Sequence, residues 1–211
     1  MRTQRGAGRL VLLIVVAALI VVVALSRQRR LAEDGDGTLG QSPKADSQIT
    51  AAAQRSLIDY WTDEEPKIYH RQFTKLAGGF QPKTPQSPPF TCGGQAQTYA
   101  DLRGNAFYCS GGEDYIAWDA AQLFPQLTER FGSIAPAIVL AHEMGHAIQS
   151  RGRVEAPSVV RELQADCFAG SWTRFAQTST SDPVRLNEGA LDTAVATILT
   201  LRDQPGTGAD A

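Results

Sequence analysis

AHEMGHAIQS, residues 141–150, places His142 and His146 four apart with Glu143 directly after the first. On an α-helix that spacing puts both imidazoles on one face, about a turn apart. Glu143, at the next position, projects beside them. The residues before the motif, Ile138, Val139, Leu140 and Ala141, are all apolar, so the helix that carries it is expected to be buried. Ionisable side chains on a buried helix need partners to offset the loss of water, and a metal ion shared by the two imidazoles is such a partner. Zinc is the ion expected. It takes nitrogen and oxygen donors in a roughly tetrahedral arrangement and keeps one position for water at a catalytic site. Glu143 is then placed to hold and deprotonate that water rather than to ligate. The competing reading is an ordinary helix with two satisfied histidines. Against it stands the composition, since the chain has only three histidines and two of them form this pattern.

A site with two histidines lacks a third protein donor. VVRELQADCFAGSW, residues 159–172, offers Glu162 and Asp166 four apart on one helical face, with Leu163, Phe168 and Trp172 marking the helix as core-packed. Glu162 reads as the third metal ligand. Asp166, one turn later, reads as the acceptor for the other ring nitrogen of a ligating histidine, a partner that orients the ring. The alternative for Glu162 is a surface pair with Arg161 or Arg174. No histidine follows His146, so a third histidine ligand placed after the motif is excluded.

The 211 residues, 43% of them hydrophobic, suffice for one cored domain with appendages. With 20 Lys+Arg against 22 Asp+Glu, the net charge of −2 gives no electrostatic reason to expect nucleic acid. The expected partner is a protein or peptide substrate. Residues 1–9 read as a short cytoplasmic tail. Residues 10–25, LVLLIVVAALIVVVAL, are sixteen positions without a charge. They reach roughly 24 Å as a helix, a little under a ~30 Å hydrocarbon core, and the flanking arginines can snorkel. The expectation is a single transmembrane anchor over 10–26, with the membrane as a second partner and the remaining chain outside the cytoplasm. A cleaved signal peptide, leaving a secreted protein, is the alternative.

Residues 27–50 are polar and rich in Gly, Asp, Ser and Gln, and read as a flexible linker. A domain is expected over 51–203, opening with an apolar stripe of Leu57, Ile58, Tyr60 and Trp61, in a helix that Pro66 is expected to split. GGFQPKTPQSPPFTCGG, residues 78–94, reads as an irregular loop. GNAFYCSGGEDYIAWD, residues 104–119, reads as two short strands around a Ser-Gly-Gly turn. Helices are expected at about 120–131, 134–150, 157–176 and 183–201, then a disordered tail over 204–211. Cys92 and Cys109 lie in loop-like contexts and are expected to pair in an oxidising compartment, closing a loop worth ~3 kcal/mol. Cys167, in an apolar helical pattern, is expected to be buried. The fold class expected is mainly α within α+β: a helical domain with a small hairpin in front, preceded by a transmembrane helix.

His-Glu-x-x-His followed by Glu-x-x-x-Asp on a later helix resembles the gluzincin, or thermolysin-like, arrangement. More closely, AHEMGHAIQ with ELQADCFAGSW resembles the bacterial family of neutral zinc metallopeptidases. IDYW, LAGGF, CGG and GNAFYCSGGEDYIAWD extend the likeness over roughly residues 55–203. The resemblance implies a zincin-like domain in which His142, His146 and Glu162 bind zinc and Glu143 is the catalytic residue of peptide hydrolysis. It also implies a membrane-anchored or exported protein. Gluzincins carry a histidine or tyrosine beyond the third ligand that stabilises the oxyanion. None follows Glu162, which leaves His70, Tyr99, Tyr108 and Tyr115 upstream as candidates. The same departure supports a second expectation, a binding or scaffold protein that keeps the zinc site without useful catalysis.

Overall fold

The computed structural model describes residues 43–184, 186 and 189–202. In chain order they form helix α1 (Pro43–Tyr69), strands β1 (Gly79–Lys83), β2 (Phe90–Cys92) and β3 (Gln95–Gln97), and a short helix α2 (Tyr99–Leu102). Strands β4 (Ala106–Cys109) and β5 (Tyr115–Asp119) follow, then helices α3 (Leu123–Phe131), α4 (Ala135–Gly152), α5 (Ser158–Thr178) and α6 (Ala190–Arg202).

Helix α4 is the centre of the domain. Pro136 sits in its first turn, where a missing N–H removes no intrahelical bond. Ala137, Ile138, Leu140, Met144, Ala147 and Ile148 are all fully buried, so α4 is apolar around most of its circumference, as a helix enclosed by its neighbours must be. It packs against α1, α3, α5, α6 and β4. Its closest approach is to α5. A Cβ on Gly145 would lie 3.0 Å from the Cα of Ala165, so the two backbones meet there only because one residue has no side chain and the other has a methyl.

Helix α1 packs Leu57 and Trp61 into the core. It runs unbroken through Pro66 rather than splitting there. The proline lies within the last turn, where one lost donor does not outweigh the packing on either side. Trp172 on α5 donates through Nε1 to the Ser56 hydroxyl at 2.8 Å, and that hydroxyl donates to Asp182 at 2.6 Å. This buried chain fastens α1, α5 and the segment after α5 together.

The expected hairpin of β4 and β5 forms, antiparallel, with Tyr108 opposite Ile116. The small hairpin in front of the helices is nevertheless a correction, because β1 adds in parallel to the other side of β5 and makes a three-stranded mixed sheet, β1-β5-β4. Strand β1 arises within the Gly/Pro-rich stretch read as irregular. Pro82 is tolerated because β1 is an edge strand. A Cβ on Gly78 would come within 2.5 Å of the Glu113 carbonyl oxygen, so the glycine lets β1 lie alongside β5. A second, two-stranded ribbon of β2 and β3 follows, joined to β4 by the disulfide Cys92–Cys109.

The expected transmembrane helix is a further correction. Among the described residues no helix is long and apolar enough to cross a membrane. The described residues form an α+β domain of six helices and five strands, and none of these helices supplies the spanning segment on which the membrane partner and the single-pass location rested. Residues 1–42 lie outside the described residues, and with them the tail 1–9, the segment 10–26 and most of the linker 27–50. So does the tail 204–211. The last residues read as linker, 43–50, belong to α1.

Helix α5 corrects two more readings. It buries Ala165, Ala169, Trp172, Thr173 and Ala176 along one face. Leu163 falls on the other side and is 52% exposed, and Cys167 is exposed as well.

Candidate metal centre

The i, i+4 spacing on α4 brings the two rings to 4.7 Å between centroids, nearly perpendicular to one another. Their Nε2 atoms are 3.1 Å apart. Glu162, on α5, reaches across with one carboxylate oxygen 3.2 Å from Nε2 of His142 and the other 3.5 Å from Nε2 of His146. The side chains of Arg161 and Arg174 are not its partners. The three groups keep between 16% and 25% of their side-chain surface accessible, enough for a further ligand to enter.

What lies behind the rings determines what they can bind. Nδ1 of His142 is 2.9 Å from Asp166 Oδ1, and Nδ1 of His146 is 3.0 Å from Oε1 of Gln149. The amide nitrogen of Gln149 faces the main-chain carbonyl of Arg161 at 2.6 Å. A carbonyl only accepts, so the amide nitrogen is the donor there and Oε1 must be the atom turned to His146. Both imidazoles therefore carry their proton on Nδ1 when neutral, which leaves both Nε2 atoms as bare lone pairs. Two lone pairs and a carboxylate crowded within about 3.5 Å favour a cation between them, either a proton or a metal ion. Ligands at zinc distances in a tetrahedral set are about 3.3 Å apart, and the observed separations of 3.1, 3.2 and 3.5 Å bracket that value. The donor set fits a divalent metal that accepts nitrogen and oxygen ligands.

The same demand shows in the affinity for protons. Burial alone would raise the Glu162 carboxyl, but His142 and His146, which donate to it from Nε2 once a second proton makes them cationic, outweigh it and hold the group far below the usual carboxylate range. Burial alone would lower His146, but the contact with Glu162 and the charge of Glu143 raise it above its ordinary value. The pocket favours a positive charge at its centre.

Glu143 is buried beside this cluster, and burial pushes its carboxyl up, offset in part by His142 and His146. It also accepts a hydrogen bond from the main-chain N–H of Tyr108 on β4. The strand is held in turn by its neighbours. The Tyr108 hydroxyl donates to Asp114, and Arg151 in the last turn of α4 donates to both oxygens of that carboxylate at 2.9 Å.

The upstream candidates for an oxyanion donor are placed elsewhere. The Tyr99 hydroxyl donates to Asp119, that of Tyr108 to Asp114 and that of Tyr115 to the Thr91 carbonyl. His70 is exposed, just past the end of α1, with φ at +52°. Gln149 is the site residue that the motif spacing does not flag. Its one sequence signal is its place three residues after His146, on the same helical face.

No family model matches the chain, and no solved structure matches it. Part of the chain is similar to mycobacterial proteins: uncharacterized protein Mb2605 of Mycobacterium bovis, and uncharacterized proteins MT2651 and Rv2575 of Mycobacterium tuberculosis. Each is 40% identical over 87 residues, which is 34% of this chain and 29% of the relative. The chain thus spans under a third of the length of these curated relatives, and their names assign no activity.

Proposed function

We propose that this protein is a zinc-dependent peptidase that hydrolyses peptide bonds in a protein or peptide substrate. The observation that carries the reading is the convergence of the two Nε2 atoms of His142 and His146 with a carboxylate from a second helix, with Glu143 one residue from His142. The likeness of AHEMGHAIQ and ELQADCFAGSW to bacterial neutral zinc metallopeptidases supports it. His142, His146 and Glu162 would hold the zinc, which when bound supplies Lewis-acid polarisation to a substrate carbonyl and to water. Asp166 and Gln149 keep the Nδ1 protons in place, so that both Nε2 lone pairs point to the centre. Glu143 accepts a proton from the attacking water on its carboxylate and delivers it to the departing amine nitrogen. Water thereby adds across the C–N bond, with an acid and an amine as products.

Glu143→Gln is the direct test. The variant is expected to retain one zinc per chain and to lose about 10²–10⁴-fold in hydrolysis of an unfolded casein-like substrate. Undiminished cleavage would overturn the role of Glu143. A second reading, a zinc-holding binding or scaffold protein, is favoured by one observation: the hydroxyls of Tyr99, Tyr108 and Tyr115 all have partners away from the centre. Zinc bound stoichiometrically with no chelator-sensitive cleavage of any unfolded substrate would select it.

A further inference from the structure

We propose that Gln149 is a positioning residue that clamps two ligands of the metal centre at once, His146 directly and Glu162 through the backbone of α5; the inference rests on the metal-centre reading above. Gln149 is buried, 3% exposed, between α4 and α5. Its amide is used on both sides. Oε1 accepts from His146 Nδ1 at 3.0 Å, while Nε2 donates to the Arg161 carbonyl at 2.6 Å and to Gln164 Oε1 at 3.1 Å. Arg161 directly precedes Glu162, and its carbonyl belongs to the peptide plane that leads into the ligand.

The two cross-helix clamps are reciprocal. Asp166 reaches from α5 to His142 on α4, and Gln149 reaches from α4 to the backbone beside Glu162 on α5. A carboxylate at position 149 could orient His146 equally well, yet it would turn an acceptor against the Arg161 carbonyl. Only a primary amide supplies an acceptor for the ring and donors for the opposite helix. The side chain thus sets the tautomer of one ligand and the distance to the other.

The test uses the full chain with two substitutions. Gln149→Met keeps the length and removes every hydrogen bond, while Gln149→Glu keeps the acceptor and removes the donors. Zinc affinity is read by chelator competition, the coordination geometry by the visible absorption of the cobalt-loaded protein, and folding by the melting temperature under chelator. Both variants are expected to bind zinc about 10–100-fold more weakly, the range seen when an outer hydrogen-bond partner of a ligand is lost. Their cobalt spectra are expected to be altered. If Gln149→Glu matches the parent protein in affinity and spectrum, the clamp on α5 is wrong. If Gln149→Met also matches it, or changes only the metal-free melting temperature, the positioning role is overturned altogether. Nitrogen-15 spectra of the zinc-loaded parent give a check that needs no variant. They are expected to show His146 protonated on Nδ1, and the opposite tautomer would overturn the proposal. Failure of the parent chain itself to bind zinc or cobalt would sink the metal-centre reading and this inference with it, an outcome distinct from the others.

Discussion

The helix pair α4–α5 and the ribbon β2–β3 are held by different forces. In the helix pair, side chains of near-zero exposure interlock and Gly145 lets the backbones touch. The ribbon is half exposed, and its order comes from a covalent link, from Phe90 against Phe107 and Tyr115, and from the Glu113 carboxylate facing the amides of Gly93 and Gly94. The groups that could hold a metal ion, His142, His146 and Glu162, all lie on the first of these regions. A constellation that must hold three atoms to within tenths of an ångström needs the stiffer support, and close packing provides it.

The contrast can be broken at four points, in descending order of effect. Glu162→Ala removes the proposed ligand on α5, and the loss in zinc affinity is expected to exceed the ~10–100-fold typical of an outer partner. Metal analysis after dialysis against a weak chelator reads it, and unchanged stoichiometry would remove Glu162 from the centre. Replacing both Cys92 and Cys109 by serine opens the staple on the ribbon. A loop of this size is worth ~3 kcal/mol by chain entropy, so denaturant unfolding should show a loss of that order while zinc affinity stays level. A parallel fall in zinc affinity would mean that the ribbon supports the centre after all.

Gly145→Val tests the other region. The new side chain meets the backbone of Ala165, which cannot step aside cheaply, and overpacking of this kind costs about 1–3 kcal/mol. In contrast to the serine variant, this one should also bind zinc more weakly, because α5 carries Glu162 and is pushed away. Equal zinc affinity would show that the helix spacing has slack.

The smallest effect concerns Glu65, a buried carboxylate on α1 with the half-exposed Arg71 3.2 Å away. Burial raises its carboxyl above the ordinary value, and the charges of Arg71 and Arg151 offset that only in part. The fold therefore favours the protonated form. Its stabilising contribution is complete below the unfolded-state value of about 4.3 and is lost as pH rises through the higher folded-state value. Glu65→Gln stays neutral throughout, and the Arg71 guanidinium it leaves unpaired is half exposed and remains solvated. The variant should melt a few degrees higher than the parent at pH 7–8, with the gap closing towards pH 4. A lower melting temperature at neutral pH would show that the pair outweighs the burial.

Much of the helical half was legible because its signals are local. Apolar residues on both sides of His142 marked a buried helix, and the four-residue spacing placed both rings on one face. The pairing of Cys92 with Cys109 could be read from two loop contexts a short distance apart. Readings failed where an element took its structure from a distant partner. Strand β1, with Pro82 in it, has no strand pattern of its own and exists because β5 offers a free edge. Leu163 and Cys167 look like core residues in a helical pattern, but α5 has only one packed face and they lie off it. Gln149 carries no mark in the sequence beyond its spacing from His146.

The residues that can ligate, their order along the chain and their face on each helix were determined by the sequence alone, since side-chain chemistry and the 3.6-residue period need nothing else. Only the tertiary structure decided how the two helices meet, because the contact between Gly145 and Ala165 and the amide bridge of Gln149 are properties of neither helix separately. That meeting sets the distance from Glu162 to the histidines. It also decided that Asp166 serves His142 and that Gln149 serves His146, a division of labour that spacing along the chain leaves open.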